Sequence, residues 1–226
     1  MEVDERLHGR IHYIIRTMAK NPHMMLPIAG VDEAGRGPLA GPVTVAAVIL
    51  FDKQGYGHIH GIKDSKRLSP AQREVWFLRA HKLKAQGILD FAVSSSSEDI
   101  IDTKGIVFGI KKALHRVLKR VCQDAAHTMI LLDGSLAAPS SYLYQETIIR
   151  GDEKEPLIAL ASVIAKVTRD RYMVRCAKKF PQYGFDIHKG YGTQRHYAAL
   201  KKHGISPLHR KSFLTGIESA SPERLA

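Results

Sequence analysis

The order of apolar runs and turn signals predicts an α/β domain, a mixed sheet of about five strands with helices on its faces and a helical C-terminal portion. Three observations carry this. Residues 28–32 and 43–50 read as two strands joined by a short Pro/Gly-rich turn, the pattern of a hairpin. Residues 129–132, Met-Ile-Leu-Leu, are a wholly apolar run bounded by a turn, as a buried central strand is. Long stretches with helical spacing stand between the strands.

Each element has its own signal. In residues 1–26, Leu7, Ile11, Ile14, Ile15 and Met18 recur at helical spacing and Asn21-Pro22 ends the pattern, so this segment reads as a helical extension of a domain spanning 27–226. After the hairpin comes a loop at 52–61. Ser69-Pro70 is an N-cap followed by proline at N1, which opens a helix over 70–85 that Gly87 closes. Residues 88–93 read as a third strand, and the serines from Ser94 to Ser97 as a loop and N-cap. Ile106, Ile110, Leu114, Val117, Leu118 and Val121 make one face of a helix over 103–122. Residues 146–149 are another short strand. Residues 156–171, rich in Ala, Ile and Val, are a helix apolar on most sides and therefore buried. Thr193 caps a last helix to about residue 202, and the tail beyond it carries His209, Arg210 and Lys211. No repeat or linker divides the chain.

Composition narrows the class. The chain has 226 residues, 44% of them hydrophobic, enough for a full core. A formal net charge of +12 points to a polyanion, either nucleic acid or an anionic membrane surface. No run approaches the roughly 18 apolar residues of a membrane span. Met1-Glu2-Val3-Asp4-Glu5-Arg6 does not begin a signal peptide, so the cytoplasm is the expected compartment. Cys122 and Cys176 are the only cysteines, and neither has a Cys or His at zinc-finger spacing.

The chemistry sits in the carboxylates. The first strand runs into Asp32-Glu33, and two further strands end near Asp133 and Asp152. Acids at the ends of neighbouring strands share a pocket, and four of them repel unless cations neutralise them. Hard divalent cations fit an all-oxygen set, Mg²⁺ in particular when substrate phosphate completes the shell. Two ions about 4 Å apart would activate water and stabilise the leaving oxygen of an in-line phosphodiester displacement. Asp133-Gly134 and Gly151-Asp152 alone are ordinary turn pairs. Adjacent acids closing an apolar strand need a reason. Gly35-Arg36-Gly37 is either a plain turn or a place where backbone meets ligand closely. Lys66, in Asp64-Ser65-Lys66, suits a phosphate, and Tyr191 between two glycines suits either packing or stacking on a sugar or base.

Taken together the motifs are specific. Val31-Asp32-Glu33-Ala34-Gly35-Arg36-Gly37-Pro38, Asp64-Ser65-Lys66-Arg67-Leu68-Ser69, Leu132-Asp133-Gly134, Gly151-Asp152, Ala161-Ser162-Val163-Ile164-Ala165-Lys166-Val167-Thr168-Arg169-Asp170 and Lys189-Gly190-Tyr191-Gly192-Thr193 resemble bacterial ribonuclease HII in order and spacing over 28 to about 213. The resemblance implies a ribonuclease H-like fold and a metal-dependent endonuclease, using Mg²⁺ or Mn²⁺. Such an enzyme cleaves RNA in RNA/DNA hybrids and incises 5′ of single ribonucleotides in duplex DNA, leaving 3′-OH and 5′-phosphate ends. By the same resemblance Asp32, Glu33, Asp133 and Asp152 are the metal-binding catalytic acids. Gly35, Arg36 and Gly37 contact the junction ribonucleotide, Tyr191 packs on the following sugar, and Lys66 and Lys166 hold phosphates. The implied protein is a monomer whose partner is nucleic acid, not membrane. The chain departs from the family pattern where Asn-Ile, Ala-Thr and Asn are common: it has Gly105-Ile106, Gly109-Ile110 and Ser135. Two other readings are a non-catalytic nucleic-acid-binding module and another ribonuclease H-fold nuclease. The full set of acids weighs against the first; Gly35-Arg36-Gly37 with Tyr191 weighs against the second.

Overall fold

A computed structural model describes residues 26–62 and 65–215. The expected N-terminal helix, apart from Leu26, and Asp64 lie outside the described residues. Five strands form one sheet: β1 (Ile28–Ala34), β2 (Val43–Leu50), β3 (Leu89–Ser96), β4 (Met129–Asp133) and β5 (Tyr144–Ile148), in the order β3-β2-β1-β4-β5. β1–β2 and β2–β3 are antiparallel, whereas β1–β4 and β4–β5 are parallel, so the sheet is mixed as expected. The helices are α1 (Tyr56–Ile59), α2 (Pro70–Ala85), α3 (Glu98–Lys104), α4 (Ile106–Val121), α5 (Gly151–Lys154), α6 (Pro156–Lys179), α7 (Phe185–His188) and α8 (Gln194–His203).

The sheet is covered on both faces, which explains why β2 is buried throughout and, apart from Thr44, apolar rather than alternating. Val43, Val45, Ala47 and Ile49 pack with Ile110, Leu114, Val117 and Leu118 of α4 on one side. Ala46, Val48 and Leu50 pack with Phe77 and Leu83 of α2 and with Leu157, Leu160 and Ile164 of α6 on the other. Each Val, Leu, Ile or Phe among them contributes about 1.5–3 kcal/mol by leaving water. A third cluster, with Leu39, Met173, Phe185, Leu200 and Leu214, ties the end of α6 to α7, α8 and the tail.

Three expected boundaries differ by three residues or more. The helix expected over 103–122 is two helices, broken at Gly105 (φ 85°), with α3 starting earlier behind Ser97. β3 runs through Ser94, Ser95 and Ser96 because β2 pairs with them; Thr44 Oγ1 lies 2.8 Å from Ser95 Oγ, and Ser96 Oγ donates to Gly109 O at 2.7 Å. α6 continues to Lys179 because Met173, Cys176 and Ala177 carry its buried face into the third cluster.

Candidate active site

Register creates the site. β1 and β4 are parallel and pair Val31 with Leu132. The next residues along, Asp32 and Asp133, therefore emerge side by side. Asp152 reaches them from α5, the single turn after β5, rather than from the strand end that the sequence suggested. Carboxylate oxygens of Asp32, Asp133 and Asp152 lie within 4.8 Å of one another. Glu33 lines the same cleft, though it is not one of these three.

Each acid is held by specific donors. Glu33 N–H donates to Asp32 Oδ1 at 2.6 Å, and Ser162 adds a side-chain hydrogen bond to Asp32. Gly151 N–H donates to Asp133 Oδ1 at 2.7 Å, which fixes α5 against β4. Lys66 Nζ lies 3.0 Å from Asp152 Oδ2. Burial pushes the Asp32 carboxyl well above its ordinary range, with Glu33 and Asp133 adding repulsion. Burial likewise raises Glu33, which Arg36 opposes from 3.5 Å. Burial and then the Asp152 charge raise Asp133. Buried oxygen donors that resist sharing negative charge are what a hard divalent cation relieves, and the residues present fit one.

The cleft, about 240 Å³, brings together Gly35, Arg36, Gly37, Lys66, Lys166 and Tyr191 with Asp32, Glu33 and Asp133. Lys66 and Lys166 are both paired with acids here; Lys166 Nζ meets Asp170 Oδ1 at 2.9 Å and lies 5.3 Å from the centre of the Tyr191 ring. Tyr191 is 40% exposed, so its ring is not a core aromatic. A larger groove of about 740 Å³ shares Lys166 and Tyr191 with the cleft and carries Arg175 and Lys189 away from it.

Sequence reasoning missed what holds these parts. Ser162, Lys166 and Arg169 recur at helical spacing, so one stripe of α6 faces the site. Ser162 Oγ sits 2.8 Å from Ser65 Oγ in the interior. Arg169, 1% exposed, donates from Nε to Pro42 O at 2.9 Å, from Nη2 to Ala40 O at 3.0 Å and from Nη1 to Lys189 O at 3.0 Å. Arg210, fully buried, donates to Gly41 O, Arg36 O and Gly35 O at 2.8, 2.9 and 2.6 Å. Arg210 thus takes the carbonyls of Gly35 and Arg36, while Arg169 takes those of Ala40 and Pro42 farther along the same turn. None of these bonds uses the N–H groups of Gly35, Arg36 or Gly37. The departure at Ser135 is also accommodated: its Oγ accepts from Arg36 Nη1 at 3.3 Å.

Acids converging at the strand ends of this mixed sheet, with phosphate-suited cations around them, define a divalent-metal-dependent nuclease of ribonuclease H-like fold. The sequence model of the family described as ribonuclease HII matches residues 29–216. The chain is similar to a ribonuclease HII of Endomicrobium trichonymphae, 46% identical over 188 residues, covering 83% of this chain and 85% of that one. It is similar to a ribonuclease HII of Coxiella burnetii (strain Dugway 5J108-111), 43% identical over 196 residues and covering 86% and 91%. Among solved structures it resembles ribonuclease HII from Archaeoglobus fulgidus, determined in a complex with PCNA, with a TM-score of 0.65, 28% identity and coverage of 82% and 94%. The chain belongs to the ribonuclease HII family, endoribonucleases that act on RNA/DNA hybrids. Among the described residues no helix is long and apolar enough to cross a membrane.

Proposed function

We propose that this enzyme incises duplex DNA 5′ of a single embedded ribonucleotide, as well as cleaving the RNA strand of hybrids, and leaves 3′-OH and 5′-phosphate ends. The observation that carries this is one cleft holding both a cutting set and a reading set. Asp32, Asp133 and Asp152, with Glu33, would hold Mg²⁺ or Mn²⁺. A divalent ion bound there supplies a Lewis acid for the scissile phosphate and lowers the pKa of an attacking water.

The remaining residues bind and orient. The carbonyls of Gly35 and Arg36 are turned to Arg210, so the loop offers its N–H groups and its lack of side-chain bulk to the ribonucleotide, whose 2′-OH distinguishes RNA from DNA. Tyr191 packs on the sugar of the next deoxynucleotide. Lys66 and Lys166 take phosphates, exchanging their present carboxylate partners for substrate oxygens. The basic groove beyond Tyr191 suits the continuing duplex, and the net charge of +12 suits a polyanion in general. We also assign the enzyme to the cytoplasm as a monomer, with residues 1–26 an extension of the catalytic domain rather than part of it.

The test compares duplexes with one and with several ribonucleotides, in Mg²⁺ and in Mn²⁺, and maps the cut. Incision 5′ of the lone ribonucleotide is expected. Cleavage of all-DNA duplexes at a similar rate would overturn the reading.

A further inference from the structure

Three buried histidines stand behind Tyr191, and their hydrogen bonds fix which nitrogen of each carries the proton. Ser206 N–H donates to His209 Nδ1 at 2.8 Å, so His209 is protonated on Nε2. That N–H faces His196 Nε2 at 3.0 Å, which must accept. His196 is therefore protonated on Nδ1 and donates to Tyr191 O at 3.0 Å. Separately, Gly190 N–H donates to His188 Nδ1 at 3.1 Å, so His188 Nε2–H donates to Tyr183 O at 2.7 Å. His188 stacks on His196 with ring centres 4.3 Å apart, and Tyr191 N–H donates to His188 O at 2.9 Å. The Tyr191 main chain is thus gripped at both its N–H and its carbonyl.

His196 and His209 are 0% and 2% exposed, and burial brings both imidazoles down to about 4. They are neutral at working pH, as the one-way chain of donors requires. An apolar pair would bury no ring nitrogens but would take the acceptor from Ser206 N–H and a donor from Tyr191 O, so the directional bonding itself is the feature to explain. The far end of the chain gives the reason. His209 is followed by Arg210, which binds the carbonyls of Gly35 and Arg36. Neighbouring tail residues therefore reach the two reading elements, one through imidazoles and one through a guanidinium.

We propose that His196 and His209 are positioning residues for ribonucleotide-selective cleavage: the Ser206–His209–His196 relay fixes Tyr191 and, with Arg210, sets its spacing from the Gly35-Arg36-Gly37 loop. This rests on the reading of Tyr191 and the loop given above. With that spacing fixed, a ribonucleotide and the deoxynucleotide after it engage together; with Tyr191 loosened, the pair is no longer measured as a unit.

Two substitutions at one position separate placement from mere packing. The amide of His196→Asn reaches the Tyr191 carbonyl in place of Nδ1–H. That of His196→Gln reaches toward His209 and leaves the carbonyl with only the Thr193 N–H, 2.9 Å away, as donor. For a duplex with one ribonucleotide, His196→Gln is expected to raise KM roughly five- to tenfold, with kcat within about twofold, while His196→Asn stays within about twofold of the parent on both. In a Tyr191→Ala background His196→Gln should add almost nothing. Equal effects of Asn and Gln, or an undiminished effect of Gln in that background, would overturn the relay. If Tyr191→Ala itself leaves KM unchanged, it is the reading of Tyr191 that fails. The relay is then judged by ring resonances of isotope-labelled Tyr191, which must shift in His196→Gln and not in His196→Asn; unmoved resonances reject it.

Discussion

Gly35 and Arg169 share a space that no β-carbon can enter. A Cβ built on Gly35 would lie 2.0 Å from Arg169 Nε and 2.8 Å from Pro42 O, and the backbone there has φ 88°. At Gly37 the same construction meets nothing within 4 Å. The sequence treats these glycines as a matched pair; the structure gives them different duties. Gly35→Ala should cost about 2–4 kcal/mol through backbone strain and displacement of the buried guanidinium. A drop in Tm of roughly 5–10 °C follows. Gly37→Ala should keep Tm within about 2 °C while weakening ribonucleotide discrimination. Thermal melts paired with nicking of ribonucleotide-containing and all-DNA duplexes check both halves. Equal melting losses would show that Arg169 does not set the difference.

Asp32 is the acid most burdened by its surroundings, being buried and next to Glu33 and Asp133. On the proposed role of Asp32 as a metal ligand, Asp32→Asn should lower nicking at least about 100-fold. The same change should raise the stability of metal-free protein at neutral pH, because a buried, repelled charge is gone. Urea melts without divalent ions measure the second effect; a stability loss there would contradict the account of the site's electrostatics.

The raised carboxyls of Asp32, Glu33 and Asp133 set a pH dependence. Folded protein keeps protons that the unfolded chain releases near pH 4. Their contribution to stability is full below that pH and is lost as pH rises through the folded-state values. Divalent ions bind the deprotonated forms, so Mn²⁺ or Mg²⁺ affinity should increase over the same rise. At neutral pH, saturating metal should lift Tm by roughly 5–10 °C. Calorimetry with and without Mn²⁺ across pH tests this; a metal shift that grows as pH falls has the wrong sign.

His196 and His209 act in the opposite direction. Both titrate near 4 in the folded protein, chiefly through burial and, for His209, also through His196. The unfolded chain binds these protons from about pH 6.5 downward. Stability from this pair is therefore complete above about pH 6.5 and drains toward pH 4. His209→Gln should flatten that acid-side slope in urea melts relative to the parent. An unchanged slope would mean that another group governs it.

Much of this was legible in residue order. Strand and helix signals placed all five strands, and the acids at apolar strand ends marked the cleft. What the sequence hid has identifiable causes. Gly105 broke a helix whose apolar spacing is continuous, because spacing does not record a positive φ. The serines of β3 are polar residues recruited by pairing with β2, a tertiary effect that local propensity cannot anticipate. Asp152 sits in a one-turn helix too short for any periodicity. Arg169 and Arg210 look like surface cations in sequence, yet both are buried, since all but one of their carbonyl partners lie about 130 to 175 residues away in the chain. Asp32, Asp133 and Asp152 came together as expected, whereas the separate standing of Glu33 follows from side-chain direction, which adjacency to Asp32 does not reveal.

The guanidinium hooks on the glycine loop also concern the order in which the chain emerges during synthesis. All four acids exist once residue 152 has been made, but the loop at Gly35 gains its first buried anchor with Arg169 and its second only with Arg210. A nascent or tail-clipped chain therefore owns all four acids before it owns the two guanidiniums that hold the turn beside them. Order in that turn is the last property this polypeptide acquires, and the first that loss of Arg210 with the tail would remove.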